Sequence, residues 1–381
     1  MESNRTNNIN HPVYFIIAGE KSADNHGSYL MKAMLEKNPQ ICFVGIGGKN
    51  MINEGLNSLE NLDKMAVMGF LEVIKHYYFF KKLINKIIEK INYYNPIQII
   101  LIDYPGFNLR LAKKIKQKIQ IPISYYISPQ IWAWKENRIE IIKKYIDQML
   151  VIFPFEEEWY KARGVNAIFV GHPLFDSWEK SNREKLCKIL NLNSNKNIIV
   201  LYPGSRLQEI QKHLPIMVKA AIKLKSFDDN FQFVLGASDD INWSQWIMPK
   251  FIKIESTNPT KALECADIAM IASGTATIEA AVFGTPMIII YKMSQVSWWL
   301  SKLLVKIKYA GMVNIISNKK IVPELLQNNA TPEKLYSTMI NLINNHLSLD
   351  KMKADLLLVK SNLQGNGASK NAAKNIIDLT S

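Results

Sequence analysis

Ser273-Gly274-Thr275 follows an apolar run at 268–272 and leads into a helix-like stretch with one carboxylate, Glu279. Small residues let a ligand approach the backbone, and the first N–H groups of a helix have no partner within it. The stretch therefore suits an anion, although a plain strand-to-helix turn capped by Thr275 would use the same residues. A second such place is Tyr202-Pro203-Gly204-Ser205-Arg206, with Glu209 in the turn that follows. There Gly204 admits close approach, Ser205 and Gln208 have the spacing of a capping box, and Arg206 offers a bidentate fork for phosphate oxygens. Two anion cradles on one sheet suit one diphosphate, and Glu279 would then accept from ribose hydroxyls.

The first half of the chain carries a different chemistry. Gly19-Glu20-Lys21-Ser22-Ala23-Asp24-Asn25-His26-Gly27 is rich in side chains that hydrogen-bond sugar hydroxyls; Ser22 or Asp24 would equally cap a helix. Asp103 closes the apolar run 97–102, where a carboxylate serves as a general base toward a hydroxyl or caps the turn before Pro105. Of the histidines, His26 and His172 fall in such loops, with structure and catalysis both open to them. Gly45-x-Gly47-Gly48 lacks the third glycine of a dinucleotide fingerprint, so a nicotinamide cofactor is not expected.

These loops need a scaffold. Apolar runs at 13–18, 44–48, 97–102, 121–127 and 149–153 alternate with helical spacing, and the pattern restarts with runs at 197–201, 231–235, 251–254, 268–272 and 287–291. Such alternation predicts an α/β chain of two Rossmann-like domains facing a cleft, with every motif at the carboxyl end of a strand. The expected divisions are 1–172, 173–345 and a helical tail, 346–381, that packs back on the first domain.

A net charge of +14 on 381 residues favours an anionic partner. Three scattered cysteines suggest neither a disulfide framework nor a zinc site, which fits a reducing cytosol. The first twelve residues do not read as a signal peptide, and no apolar run reaches the roughly 18 residues that cross a bilayer. Two amphipathic stretches remain. Tyr77, Phe80, Ile84, Ile87, Ile88 and Ile91 share a face beside Lys81, Lys82, Lys86 and Lys90; in 297–308, Trp298, Trp299, Leu300, Leu303, Leu304 and Ile307 alternate with Lys302, Lys306 and Lys308. Each suits a core-facing helix or one lying on anionic lipid. Scattered basic residues and the lack of a known module argue against nucleic acid.

Taken in order, the motifs resemble the lipid-A-disaccharide synthase family over nearly the whole chain. They are Gly19-Glu20-x-Ser22-x-Asp24, Gly45-x-Gly47-Gly48, Met65-Ala66-Val67-Met68-Gly69 with Glu72, Asp103 with Phe107-Asn108, and Ser128-Pro129-Gln130-Ile131-Trp132-Ala133-Trp134. Pro154-Phe155-Glu156, Val170-Gly171-His172-Pro173, Pro203-Gly204-Ser205-Arg206 and Ser273-Gly274-Thr275-Ala276 with Glu279 complete the set. The resemblance implies a GT-B glycosyltransferase that joins UDP-2,3-diacylglucosamine to 2,3-diacylglucosamine 1-phosphate, β(1→6) with inversion, and releases UDP without metal or cofactor. It also implies a cytoplasmic enzyme held peripherally on the anionic inner face of the bacterial inner membrane, and adds Met68 and Gly69 to Glu20, Ser22 and Asp24 as acceptor-binding residues. Trp298, Trp299, Lys302, Leu303 and Lys306 would touch the membrane. Arg206 would stabilise the leaving UDP and Asp103 would be the base, with Glu20 and Asp24 open as alternatives. The chain departs from the family pattern at Ala23, where glycine is common, and at Gly106, where a second aspartate is expected. A UDP-sugar epimerase on the same fold would not need acyl grooves, and a sugar-lipid binding protein would not need a base.

Overall fold

The computed structural model describes residues 11–61, 73–239, 241–295, 298, 308–364 and 367–380. It divides into two units, Met1–Ser177 with Leu363–Ser381, and Trp178–Asn362. The first change of unit thus falls a few residues after the expected 172, and the second falls at the end of a long helix rather than at 346.

In the first unit the order is β1 Val13–Ala18, α1 Lys21–Lys37, β2 Cys42–Gly47, α2 Lys49–Asn53, β3 Leu56–Asn61, α3 Val73–Tyr94, β4 Gln98–Ile102 and α4 Pro105–Lys116. There follow β5 Ile123–Tyr126, α5 Ile139–Tyr145, β6 Gln148–Val151, α6 Pro154–Lys161, β7 Ala167–Phe169 and α7 Leu174–Ser177. The strands form one parallel sheet in the order β3-β2-β1-β4-β5-β6-β7. Its central strands are largely apolar because both faces are covered; the exceptions, Gln98, Ser124 and Gln148, hydrogen-bond one another in a buried row across β4, β5 and β6. In β1, Phe15 and Ile17 enter one core with Leu83, Ile87 and Ile91 of α3, while Tyr14, Ile16 and Ala18 enter the other with α1.

The second unit continues with α8 Arg183–Ile189, β8 Ile198–Tyr202, α9 Leu207–Phe227, β9 Gln232–Gly236, β10 Ile252–Glu255, α10 Pro259–Cys265 and β11 Ile268–Ala272. Then come α11 Ala276–Phe283, β12 Met287–Tyr291, α12 Met312–Ile316, β13 Glu324–Leu326, α13 Pro332–Asn344 and α14 His346–Leu363. Its sheet is also parallel, ordered β10-β9-β8-β11-β12-β13. The last helix, α15 Ala368–Asp378, belongs to the first unit. Ala372, Ala373 and Ile376 are buried with Leu30, Met31 and Met34 of α1. Its amino end is held by Asp176, which accepts from Ser369 N at 3.1 Å and Ser369 Oγ at 2.6 Å.

In each sheet the chain runs outward to one edge and returns to the other side of its starting strand. The reversal falls between β1 and β4 in the first unit and between β8 and β11 in the second, and such points are where α/β sheets bind ligands.

Ile376 is fully buried, so Ile376→Ala should cost about 2–4 kcal/mol in urea unfolding. A loss well below 1 kcal/mol would show that α15 contributes nothing to this core.

Candidate active site

The register Ala18↔Ile102 places the ends of β1 and β4 side by side, and with them Glu20 and Asp103. Burial and the neighbouring Glu20 carboxylate push the Asp103 carboxyl up from 3.8 to about 6, against a backbone hydrogen bond from Tyr104 that lowers it. Glu20 itself is exposed and precedes the first residue of α1. Asp103 and Tyr104 both adopt left-handed conformations, with φ of 45° and 48°. Such pairs persist only when the surroundings impose them. Here Asp103 N donates to Tyr126 O at 3.0 Å, while Asp103 O accepts from Tyr125 Oη and from Asn108 Nδ2 at 2.7 Å. Asn108, fully buried, also donates to Ile102 O at 3.1 Å. The Phe107-Asn108 motif thus clamps the turn that presents Asp103.

Gly106 stands at the second position of α4, and a Cβ there would meet nothing within 4 Å. Packing does not demand the glycine; its effect is to leave Glu20 and Asp103 as the carboxylates of this edge. Ala23 lies inside α1 and is fully buried, a position that suits alanine in a helix.

Asp24 is engaged inside the unit. Its carboxylate accepts from Gly48 N at 2.7 Å, Met51 N at 3.1 Å and Asn50 N at 3.1 Å, and it is buried. It caps α2 from the neighbouring helix and fills the anion site that the Gly45-x-Gly47-Gly48 turn would otherwise offer. The Asp24 carboxylate is thus occupied by three backbone N–H groups of its own unit. Ser22 is exposed within the first turn of α1 and caps nothing.

After β5 the chain turns at Ile127, a β-branched residue at φ 65°, into Ser128-Pro129. Two groups pin this loop: Tyr160 Oη donates to Pro129 O at 2.9 Å, and Trp132 Nε1 donates to Glu156 Oε1 at 2.9 Å. Burial pushes the Glu156 carboxyl up to about 7, opposed by the Trp132, Ser128 and backbone hydrogen bonds. Trp134 remains exposed, with Lys135 Nζ 4.1 Å from its ring centre. Burial lowers His26 to about 4 and His172 to about 3, the latter helped by His26 nearby, so both are neutral imidazoles at pH 7.

In the second unit the register Ile271↔Tyr202 sets the Pro203 turn beside Ser273. Gly204 has φ 109°, and a Cβ there would lie 2.6 Å from Glu209 Oε2. The Arg206 side chain is 83 % exposed and lies 3.7 Å from Glu209 Oε1. The expected Ser205–Gln208 capping box does not form, because the chain is still extended at Arg206 and α9 begins one residue later. Ser205 and the first helical N–H groups are therefore left to solvent or ligand. Gly274 and Thr275 are exposed, a Cβ on Gly274 would meet nothing within 4 Å, and Thr275 makes no side-chain cap. Ser273 is less available than expected, since its hydroxyl donates to Ala310 O at 2.7 Å. Glu279 is half-buried, and burial raises its carboxyl above the usual range.

Several residues that support these loops escaped the motif reading. Glu324 accepts from Ala310 N, Gly311 N and Asn314 Nδ2, which fixes the segment that holds Ser273. Gln327 receives Met293 N at 2.8 Å, and His213 joins the Pro203 turn to Lys292. They lie far from the motifs in sequence and carry no local signature. Met68, Gly69, Trp299, Lys302, Leu303 and Lys306 lie outside the described residues. Trp298 is half-buried and donates its backbone N–H to Ser294 O at 2.9 Å. In α3 the core-facing alternative holds where side chains are described, with Leu83, Ile87, Ile88 and Ile91 buried and Lys86 paired with Glu60 at 3.0 Å. Among the described residues no helix is long and apolar enough to cross a membrane.

The profile of a family described as lipid-A-disaccharide synthetase matches residues 14–377. The chain belongs to the lipid-A-disaccharide synthase family. It is 37% identical to the lipid-A-disaccharide synthase of Coxiella burnetii (strain CbuG_Q212), over 96% of this chain and 97% of that one. It is 38% identical to lipid-A-disaccharide synthase 1 of Legionella pneumophila (strain Lens), over 93% and 94%. Among solved structures it resembles a putative UDP-N-acetylglucosamine 2-epimerase from Listeria monocytogenes, with TM-score 0.63 and 13% identity over 96% and 94% of the two chains. It also resembles the calicheamicin glycosyltransferase CalG4, with TM-score 0.59 and 11% identity over 97% and 98%. At such identities these structures speak for the GT-B fold alone. With the family established, the chain is a glycosyltransferase of lipid A biosynthesis.

Titrating Asp103 by carboxyl carbon NMR should give a midpoint at about 6. Glu20→Gln removes a nearby negative charge and should move the midpoint down, yet not to 3.8, because burial is the larger cause and persists. A midpoint unmoved by Glu20→Gln would show that the two carboxylates do not sense each other.

Proposed function

We propose that the second unit binds UDP-2,3-diacylglucosamine and the first binds 2,3-diacylglucosamine 1-phosphate. The reading rests on the pairing of complementary loops at each sheet's point of reversal, an exposed cationic turn beside a small-residue turn in one unit and a carboxylate pair in the other. The diphosphate lies against Gly204, Ser205, Arg206, Gly274 and Thr275. Glu209 orients Arg206, Glu279 accepts from the ribose, and Ser273 acts through its lone pairs and its hold on Ala310.

Asp103 takes the proton of the acceptor 6-hydroxyl as its oxygen attacks the anomeric carbon. The bond from that carbon to the β-phosphate oxygen breaks on the opposite face, which inverts the centre and releases UDP. Arg206 and the free N–H groups of α9 and α11 stabilise the charge that develops on the leaving group. A carboxyl at about 6 is mostly ionised at pH 7 while remaining a useful proton acceptor. Glu20 binds acceptor hydroxyls and adds its charge to burial in raising that value. Asp24, spent on α2, is not the base.

Both substrates are acylated, so the enzyme works at the anionic cytoplasmic face of the inner membrane. The net charge of +14 and the stretch 297–308 support this placement.

Release of UDP from UDP-diacylglucosamine with and without the acylated phosphosugar tests the assignment. Release only with acceptor present fits the transferase; release or epimerisation without it would sink this reading. Arg206→Ala should cost about 3 kcal/mol or more in kcat/KM, with lysine a poor substitute. Asp103→Asn should abolish turnover and leave UDP affinity intact, whereas near-normal turnover would return Asp103 to the role of turn former.

Replacing Trp298, Trp299 and Leu303 together with serine should weaken binding to anionic vesicles and raise KM for vesicle-borne substrate, with little change in detergent micelles. Loss of folding in this triple variant, with vesicle binding indifferent to changes at Lys302 and Lys306, would place the stretch in the core instead.

A further inference from the structure

His213 lies on α9, two turns in from the Pro203 turn, and is completely buried. Its ring bridges two loops of the second unit: Nδ1 is 3.0 Å from Pro203 O, and Lys292 N donates to Nε2 at 3.0 Å. A backbone N–H can donate to Nε2 only if that nitrogen carries no proton. The proton must then sit on Nδ1, where it is donated to the Pro203 carbonyl. Both bonds are satisfied by one protonation state, the neutral Nδ1–H tautomer.

The groups so joined are consequential. Pro203 immediately precedes Gly204, whose φ of 109° turns the chain toward Ser205 and Arg206. Lys292 follows β12, and the next residue, Met293, is fixed by Gln327. On the side toward β12 the imidazole packs on Tyr291, ring centres 6.0 Å apart. The imidazole therefore ties the exit of β8 to the exit of β12 across the intervening β11, whose own exit is Ser273-Gly274-Thr275.

We propose that His213 is a positioning residue of the transferase: as a neutral imidazole it holds the Pro203-Gly204-Ser205-Arg206 turn at the height where its N–H groups and Arg206 meet the diphosphate. This rests on the reading of that turn as the UDP site. The charged and titratable groups around the ring are Glu209 and Lys212 from its own helix and Tyr291 from β12. Burial and Lys212 oppose the imidazolium, Glu209 favours it, and the ring is held below the ordinary histidine range, burial being the largest cause. Protonation would set a second N–H against that of Lys292 and break the tie.

The variants separate the two bonds. His213→Leu keeps volume and loses both; His213→Gln restores an acceptor for Lys292 N; His213→Asn restores a donor for Pro203 O. UDP binding by calorimetry, thermal midpoints and KM against kcat are measured for these and for Arg206→Ala. Two broken tie points at a binding loop should weaken UDP about tenfold in His213→Leu and raise KM for the nucleotide sugar, with His213→Gln recovering most of the loss. Imidazole nitrogen NMR of the wild type should show a protonated Nδ1 and a bare Nε2 that persist below about pH 6.5.

Wild-type UDP affinity in His213→Leu, with Arg206→Ala defective, would overturn the proposal and spare the site. Normal affinity in both would remove the site assignment and the proposal together. If His213→Leu does not fold, His213→Asn takes its place, and affinity equal to wild type there removes the tie to Lys292 from the argument. A ring that titrates at about 6.5 also overturns it.

Discussion

A parallel sheet covered on both faces can offer unpaired backbone groups to a ligand only at the ends of its strands. Everything chemical in this protein follows from that restriction. β1 and β4 in one unit, and β8 and β11 in the other, are almost wholly apolar, and the buried polar exception, Gln98 at the start of β4, is tied to Ser124 away from the strand's carboxyl end. The polar residues begin abruptly, at Glu20, Asp103, Ser205 and Ser273, one to three positions beyond the last paired residue. Helices that start nearby, α9 and α11 among them, add the free N–H groups that the sheet lacks.

The two edges solve opposite electrostatic problems. The first gathers carboxylates and raises one of them by burial and mutual repulsion, which keeps a proton acceptor near neutrality. The second presents cationic and N–H groups, with Glu209 as the counterweight to Arg206. Each is braced by a buried polar side chain, Asn108 on the Asp103 carbonyl and His213 on the Pro203 carbonyl. The left-handed residues Asp103 and Tyr104 are tolerated because Asn108 holds the turn, and Ile127 because Tyr160 and Glu156 pin the loop that follows it.

How much of this was legible in the sequence depended on burial. The interior strands announced themselves as apolar runs, and the motifs at their ends were read in the right order. Three strands were missed, β3, β7 and β13, and all three are sheet edges. An edge strand is short and partly solvated, so its sequence, such as Leu56-Asn57-Ser58-Leu59-Glu60-Asn61, does not carry the signature of a covered strand. The polar loop residues show a second limit. Asp24 and Ser273 stand in loops whose composition suits a ligand, and each is also engaged by backbone groups that are distant in sequence, Gly48 to Met51 and Ala310. Local spacing cannot reveal a partner brought in by the fold, which is also why His213, Glu324 and Gln327 went unnoticed.

The helix α15 follows the entire second unit in the chain, yet its apolar face completes the core of the first. During synthesis the first sheet therefore emerges from the ribosome with Tyr14, Ile16, Leu30, Met31 and Met34 still short of their last cover. It waits in that state while the whole second unit is translated. The nascent first unit has to survive as a partly bare intermediate, a natural client for a chaperone, and its final stability arrives only when the last helix docks. A break in translation anywhere in the second unit thus costs the cell the first unit as well.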